Sequence, residues 1–308
     1  MLRWYLQLIA GIFCISTSAI FVTLSGVEPT VSAFYRNFFA ALIWLLLYPW
    51  TRPLDRMPIR SPETAVAAIE DSRRALIFFQ SPTAIVPLIV LGAFFAVDLW
   101  SWHRCIIFLG AGPATLMGNL QVLIVSLLAV YFFRERLQKW FWPGCLLALA
   151  GIGLLTLTKG VAGNMLRGVF YGVLTAITYS SFLIILRFLD RYRVTAQQIL
   201  FWVAFFSSVF LYLAMAGEGA PVLPGKTALV WLLLHGFLSS VVGWWLIIHA
   251  FPHVEVAIAS TLLLLQPVLT SIWGHLFLGQ TLSPLQVGGI VLALSGIRLA
   301  TWRGKLKR

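Results

Sequence analysis

Long apolar stretches separated by short polar segments run along nearly the whole chain. Each holds about 20 residues, the length at which an α-helix crosses the ~30 Å hydrocarbon core of a bilayer. The first stretch is too long for a signal peptide and lacks a small-residue cleavage site, so we expect it to be a true span. The pattern predicts ten transmembrane helices joined by short loops, at about 4–25, 30–50, 84–103, 112–133, 139–158, 168–189, 196–216, 228–250, 255–278 and 284–302.

One polar segment, which follows the second apolar stretch, is long enough to form an element of its own. Ser61 is a suitable N-cap, Pro62 a suitable first helical residue, and Glu70 precedes Arg74 by the four residues that favour an ion pair on a helix. Its apolar residues fall roughly on one face. These features predict a short surface helix at about 62–80, lying at the membrane interface.

Composition supports a polytopic membrane protein of the all-α class. Apolar residues make up 60% of the chain, charged residues only 10%, and the mean hydropathy is +0.92, which is outside the range of a soluble domain. The three cysteines, Cys14, Cys105 and Cys145, have no metal-ligand spacing, so we expect them to pack as small apolar side chains. No metal and no other cofactor is predicted.

The net charge of +12 is explained by the placement of the basic residues. Sixteen of the 22 Lys and Arg residues lie in segments that are on the same side of the membrane as the N-terminus, and four lie in the segments on the other side. The positive-inside rule then predicts that both termini are cytoplasmic, in a multi-pass protein of the cell (inner) membrane. The basic residues are expected to contact membrane lipids with anionic head groups, and no nucleic-acid partner is predicted.

An internal repeat relates the two halves of the chain. A gapless shift of 145 residues places the segment 119–155 on the segment 264–300, and it aligns Gln121 with Gln266, Gly144 with Gly289, Gly151 with Gly296 and Trp100 with Trp245. Each half holds five predicted spans, an odd number, so the second copy must cross the membrane in the opposite direction. We therefore predict two inverted five-helix repeats, at 1–158 and 159–308, an architecture typical of secondary transporters.

The chain resembles the drug/metabolite transporter superfamily, and within it the ten-helix EamA-type transporters. The resemblance is carried by FFRERL at 132–137, by the glycine-rich GCLLALAGIGLL at 144–155, and by their second copies FLGQTL and GGIVLALSGIRL. In that family an acidic residue commonly follows the fourth and ninth spans. Glu135 matches this pattern in the first copy, whereas Gln280 replaces it in the second, so the acidic residue is not required in both.

The resemblance implies a carrier with a central cavity that moves small metabolites without ATP. The sequence agrees on the last point, because no GxxxxGK[ST] phosphate loop occurs in it. We expect a secondary transporter for a small polar or amphipathic metabolite, an amino acid or a related compound, linked to protons. Two alternatives stay open at this point: a membrane transferase acting on a lipid-linked substrate, for which no DDxxD or HxxxxD motif is present, and a lipid flippase. A homodimer is also left open.

Asp98 is the one acidic residue predicted to lie deep within a span, and such residues are functional candidates. Arg36, in the neighbouring second span, is placed at a similar depth and is its expected partner. The pair either ties two helices together or carries a proton. Phe95, Asp98 and Trp102 share one helical face, which would line the cavity, although Trp102 can equally anchor the helix at the interface.

Polar residues of the fourth and ninth spans form a second set of candidates. Asn119, Gln121 and Gln266 either line the cavity or join helices by hydrogen bonds. Pro267 cannot donate a backbone hydrogen bond to Leu263, which predicts a hinge and a free carbonyl near the middle of the membrane. Trp245, late in the eighth span, either packs or stacks on a planar substrate.

Overall fold

The computed structural model describes residues 2–51, 82–109, 111–156, 164–189, 194–220 and 223–302. Every regular element within these ranges is a helix, which confirms the all-α prediction. Nine segments of the described chain are long and apolar enough to cross a membrane, and Phe141–Leu154 is a shorter apolar helix at the position of the fifth span. The chain is therefore a multi-pass membrane protein. The surface helix expected at about 62–80 lies outside the described residues.

The helices follow the predicted order of spans. In the first half they are α1 (Leu2–Ser16), α2 (Ser18–Ser25), α3 (Pro29–Thr51), α4 (Pro82–Leu109), α5 (Ala111–Asn119), α6 (Gln121–Phe133) and α7 (Phe141–Thr156). In the second half they are α8 (Met165–Phe188), α9 (Ala196–Gly217), α10 (Lys226–His235), a π-helix (Gly236–Gly243), α11 (Trp244–Ala250), α12 (Val256–Leu262), α13 (Leu265–Leu278) and α14 (Pro284–Thr301). Spans 1, 4, 8 and 9 each consist of more than one helix.

Two contacts between distant residues define the two ends of the bundle. We call the end of the bundle where α1 begins the near end, and the opposite end the far end. At the near end Trp4 of α1 stacks on His253, which follows α11, with ring centroids 3.8 Å apart. At the far end Arg104 of α4 lies 2.6 Å from Glu218, which follows α9. The last described helix, α14, returns to the near end.

The third span is longer than the sequence predicted. We expected it to end near residue 103, whereas α4 continues to Leu109. Asp98 is therefore eleven residues from the far end of its helix, about 16 Å at 1.5 Å per residue, and lies near the middle of the membrane. His103, expected at the boundary, is buried within the bundle. The physical reason is that the apolar residues after Arg104 extend the helix, and Arg104 itself is paired with Glu218.

Spans 5 and 10 pack through small residues, as the glycines predicted. A β-carbon added to Gly151 would lie 2.3 Å from the backbone nitrogen of Ala293, and one added to Gly296 would lie 2.3 Å from that of Ala148. Such backbone approach is typical of membrane helices that associate without a hydrophobic driving force. Gly288 differs, because no atom of the described residues lies within 4 Å of the place where its β-carbon would be.

The contacts between spans 5 and 10 follow the internal repeat. The shift of 145 residues relates Gly151 to Gly296 and Ala148 to Ala293. The contact of Gly151 with Ala293 is therefore the repeat-related counterpart of the contact of Gly296 with Ala148. The helices α6 and α13 also end alike, on Arg134 with φ 53° and on Gly279 with φ 63°, and these two positions again differ by 145. This symmetry supports the repeat, and the inverted relation of the two halves stays a prediction.

Spans 4 and 9 are both interrupted next to their repeat-related glutamines. A single turn at Leu120 separates α5 from α6, and a turn at Leu263 and Leu264 separates α12 from α13. In the second interruption Leu264 and Gln266 each donate a backbone hydrogen bond three residues back, at 3.1 and 3.0 Å. Pro267 explains this turn because it has no N–H for the regular bond to Leu263. The carbonyl of Leu263, which we predicted to be free, accepts the bond from Gln266 instead.

Candidate functional site

A layer of polar side chains crosses the bundle near the middle of the membrane. It contains residues from spans 2, 3, 4, 6, 8 and 9, all placed about 10–21 Å from the far end when their position along the helix is converted at 1.5 Å per residue. We call this the central polar layer; it consists of Arg36, Asp98, Gln121, Tyr179, His235, Ser240 and Gln266. Since apolar side chains surround it on both sides, polar groups here need partners or a ligand.

Arg36 is held by the eighth span and not by a direct ion pair. Its Nε donates to the hydroxyl of Ser240 at 3.2 Å, and its guanidinium carbon lies 5.9 Å from the ring centroid of Phe95. The expected direct pair with Asp98 is not formed, because no ion pair within 4.0 Å joins them in the described chain. The two charges still act on each other through the buried space between them.

Asp98 is 8% exposed, and no donor among the described residues hydrogen-bonds its carboxylate. The groups that act on it electrostatically are Arg36, and Tyr179 of α8. Around Arg36 lie two further titratable side chains, His103 and His235. The carboxylate is therefore placed where a change in its proton would alter the charge balance of the layer.

Gln266 contributes to the layer through Tyr179. The side chains of Gln266 and Tyr179 lie next to each other, which brings span 9 against span 6 beside the turn that precedes Pro267. Pro267 is itself buried. The sequence placed Gln266 among the candidates, but it gave no sign of Tyr179.

Gln121 lies at the crossing of spans 4, 6 and 9. Its Nε2 donates to the backbone carbonyl of Ser260 at 3.3 Å, and the backbone carbonyl of Gln121 accepts from the hydroxyl of Ser180 at 3.4 Å. The side-chain oxygen Oε1 is buried without a hydrogen-bond partner within the described part of the chain. Asn119 differs, because its Nδ2 bonds the carbonyl of Thr115 in the same helix at 2.7 Å and thus joins no second span.

The two tryptophan candidates lie apart from the charged residues of the layer. Trp102 packs on a separate small cluster formed by Cys105, Leu109 and Ala114. Trp245 contacts His249 one turn further along α11, with ring centroids 4.5 Å apart. The neighbouring Trp244 is the one that faces the interior.

A small cavity opens beside the central polar layer, with room for about one water molecule. Three of its walls are aromatic: Phe95, Phe182 and Trp244 lie within 5.0–5.5 Å of one another by ring centroids. Polar atoms enter from Asn37 and Ser240. The remaining lining residues are Leu200, Val203, Ala204 and Ile248. The cavity is thus apolar on one side and joins Arg36 on the other, because Phe95 and Ser240 are both contacts of Arg36.

At the far end of the bundle, Glu218 joins several spans. Its Oε1 accepts from Arg104 at 2.6 Å and from Trp100 at 2.9 Å, its side chain also bonds Thr30, and the guanidinium of Arg104 lies 3.7 Å from the centroid of Trp100. Burial raises the pKa of Glu218, but the bonds from Arg104, Trp100 and Thr30 outweigh it, so the pKa is below its ordinary value. The carboxylate is charged at neutral pH and joins spans 2, 3 and 7.

At the near end of the bundle, Glu135 joins two spans. Its two carboxylate oxygens accept from the backbone N–H groups of Val256 and Ala257, at 2.7 and 3.0 Å, at the beginning of α12. Burial raises the pKa of Glu135 above its ordinary value, although the two N–H groups and Arg187 oppose this shift. The contact fastens the loop after span 4 to the start of span 9. Gln280, the counterpart of Glu135, instead contacts its own loop through His275, whose Nδ1 lies 2.7 Å from the Gln280 carbonyl.

Sequence reasoning missed His235, Tyr179 and Ser240. His235 is 1% exposed, and neither ring nitrogen has a hydrogen-bond partner in the described ranges. The signal that could have found all three is their common depth, since each lies nine to fourteen residues from the far end of its span. No group of three or more His, Cys, Asp or Glu side chains that could hold a metal occurs among the described residues.

Residues 166–302 match the model of the EamA-like transporter family. The chain is 31% identical over 191 residues to an uncharacterized protein of Pseudomonas aeruginosa, a match that covers 62% of this chain and 64% of the relative. It is 23% identical over 176 residues to an uncharacterized transporter of Clostridium kluyveri, covering 54% of this chain and 56% of that protein. The chain thus spans less than two thirds of the length of each of these relatives.

A solved crystal structure of another protein superposes with a TM-score of 0.77 at 16% sequence identity. The superposition covers 97% of this chain and 96% of that chain. At this identity the similarity concerns the fold alone. The order of helices described above therefore occurs in a second protein over nearly its whole length.

Proposed function

We propose that the protein is a proton-linked secondary transporter of a small polar or amphipathic metabolite, an amino acid or a related compound. The match of residues 166–302 to the model of the EamA-like transporter family supports a role in membrane transport. The proposal adds that transport proceeds by alternating access across the cell (inner) membrane, with both termini cytoplasmic.

The observation that supports a transport site is the central polar layer with its cavity. Asp98 is buried and Arg36 is half-buried, no direct ion pair joins them in the described chain, and they lie beside a cavity walled by three aromatic rings. Buried ionisable residues in membrane helices are costly and mark substrate or ion pathways. The layer also draws on spans of both halves, which is where inverted-repeat transporters bind their substrates.

Alternating access is supported by the contacts at the two ends. Glu218 joins spans at the far end and Glu135 joins spans at the near end, on opposite sides of the cavity. Both contacts are charged hydrogen bonds. Such contacts can break and re-form as the protein changes between open states.

Asp98 is our proposed proton site. Its carboxylate is buried, it has no hydrogen bond among the described residues, and its charge acts on Arg36 and Tyr179. Protonation would leave Arg36 as an unbalanced positive charge in the layer. Substrate binding and proton binding would thereby be coupled.

The test is uptake of radiolabelled amino acids by purified full-length protein in liposomes, with and without a pH gradient. We expect wild-type protein to accumulate a substrate only with the gradient. Asp98→Asn should lose this accumulation and keep exchange of internal for external substrate, because the amide has no proton to release. The matched control is Glu28→Gln, which alters a carboxylate in the far-end turn before α3.

Two results would contradict the proposal. Gradient-driven accumulation by Asp98→Asn at the wild-type rate would remove the coupling role of this residue. If neither accumulation nor exchange of any solute occurred in wild-type liposomes, the role as a secondary transporter would be removed.

A further inference from the structure

The guanidinium of Arg36 has N–H donors without a hydrogen-bond partner among the described residues. Only its Nε has a described hydrogen bond, to Ser240, and no carboxylate lies within 4.0 Å of it in the described chain. A guanidinium carries five N–H donors in a planar fork that matches a carboxylate in two-point contact. The bundle thus keeps a half-buried cation that no side chain of the described residues neutralises directly.

Other donors around Arg36 are also unpaired. His235 has no hydrogen-bond partner on either ring nitrogen, and the hydroxyl of Ser239 has none either, counting the residues that the structure describes. His235 directly precedes the π-helix that contains Ser240, and Ser239 is the neighbour of Ser240 within that helix. Unpaired buried polar groups cost free energy, and a ligand that pairs them recovers it.

The far side of the site is apolar and aromatic. Phe95 lies under the guanidinium of Arg36, and Phe182 and Trp244 complete the wall around the cavity. A ligand that filled both regions would need an anionic end and an apolar body. The cavity is small in the closed conformation, so such a ligand requires α9, which supplies Leu200, Val203 and Ala204, to move outward.

We propose that the substrate is an amphipathic monocarboxylate, whose carboxylate binds Arg36 and whose apolar body lies between Phe95, Phe182 and Trp244. This inference rests on the proposed transport function. A single anionic group fits because the layer has one fixed positive charge, that of Arg36, among the described residues.

The same arrangement couples the carboxylate to one proton. When the substrate carboxylate takes up the charge of Arg36, the charge of Asp98 is no longer balanced, so Asp98 binds a proton from water and becomes a neutral acid. No other bond is formed or broken. One anion and one proton enter the layer together, so the loaded site has the same net charge as the empty one. Arg36, Tyr179, His103 and His235 are the titratable groups that face this exchange.

The experiment is isothermal titration calorimetry on the full-length protein in detergent, with three probes of nearly equal shape: 3-phenylpropionate, 3-phenylpropionamide and 3-phenylpropylamine. We expect the carboxylate to bind about tenfold or more tightly than the amide, because its bonds to a cation are charge-assisted. Repeating the titration in buffers of different ionisation enthalpy counts the protons taken up. We expect about one proton for each carboxylate in the wild type and none in Asp98→Asn, by the charge balance above.

Variants assign the binding to its residues. Arg36→Gln should weaken 3-phenylpropionate about tenfold or more and remove the preference for carboxylate over amide. The matched control is Arg298→Gln, which removes an exposed arginine from α14. If Arg36→Gln fails to fold, Ser240→Ala provides a milder change to the same guanidinium, with an expected severalfold loss of affinity.

Three outcomes would overturn the inference: equal binding of the amide, tighter binding of the amine, or binding of the carboxylate without proton uptake. Failure of the transport proposal is distinguishable. Carboxylate binding with proton uptake but no flux in liposomes would support the binding site and contradict the transport function. Flux of other solutes without carboxylate binding would support the transport function and contradict the binding site.

Discussion

Arg134 adopts a left-handed backbone conformation, with φ 53°, at the end of α6. It is the only non-glycine residue with positive φ among those described. Its backbone N–H bonds the carbonyl of Ala129, as that of Gly279 bonds Gly274 in the second repeat. A side chain in this conformation costs about 1–2 kcal/mol, whereas glycine adopts it freely. The first copy of the repeat therefore carries strain that the second avoids.

We predict that Arg134→Gly raises the thermal stability of the purified protein and that Gly279→Ala lowers it. The expected change in the free energy of unfolding is about 1 kcal/mol in each direction, because the first variant removes a side chain from a left-handed position and the second adds one. The measurement is the melting temperature in one detergent. Stabilisation by Gly279→Ala would show that the left-handed turn is not what limits stability there.

At the same scale, the sequence could predict part of the candidate site, and its function stays a prediction. Asp98, Arg36, Gln121 and Gln266 could be selected because charged and amide side chains stand out in apolar helices, and the structure places them in one layer. Their partners could not be selected. The direct pair of Arg36 and Asp98 was expected from similar depth alone, but depth does not fix the rotation of a helix, and the guanidinium reaches Ser240 of span 8 instead.

Among the elements, α7 and α14 form the closest helix pair, and its glycines are not interchangeable. A β-carbon at Gly151 would meet backbone atoms of Ala293 and Gly289 at 2.3–2.8 Å, so one of the helices would have to move. Gly288 has nothing within 4 Å of that place. The sequence could not separate these two glycines because both lie in a glycine-rich apolar helix.

We predict that Gly151→Ala destabilises the protein and that Gly288→Ala does not. Overpacking of this kind costs about 1–3 kcal/mol, and the matched control differs only in whether the β-carbon meets a neighbour. Size-exclusion profiles and melting temperatures of both variants in the same detergent measure the effect. Equal loss in the two variants would mean that helix propensity, and not the approach of α7 to α14, sets the stability.

The spans themselves were the most predictable elements. About 20 apolar residues can cross the membrane in only one way, as a helix, because lipid offers no partner for backbone N–H and carbonyl groups. Interruptions inside spans were harder. Pro267 signalled the turn in span 9, but nothing as specific marks the turn at Leu120 or the π-helix of span 8. Both depend on contacts with other spans, which a single sequence does not display.

For the whole molecule, the near end carries both the beginning of α1 and the end of α14, and most of the basic residues belong to segments on that side. We predict that a reporter active only in the cytoplasm is active when fused after Arg308. A second fusion, within the far-end loop that contains Glu218, should be inactive in the same reporter and active in a periplasmic one. The opposite pair of signals would invert the proposed topology.

The π-helix of span 8 also determines how the two ends of that span are oriented about its axis. Over Gly236–Gly243 the bonds run five residues back, as from Trp244 to Ser239, so the helix holds more residues per turn than an α-helix. Removing one residue there would return the segment to ordinary α-geometry and turn its two ends relative to each other by about 100°, the angle per residue of an α-helix. After this rotation His235 and Trp244 could not both keep their present contacts. The number of residues in this segment thus sets the position of His235 relative to Trp244, which lines the cavity. An insertion or deletion here would change the binding site and leave every span in place.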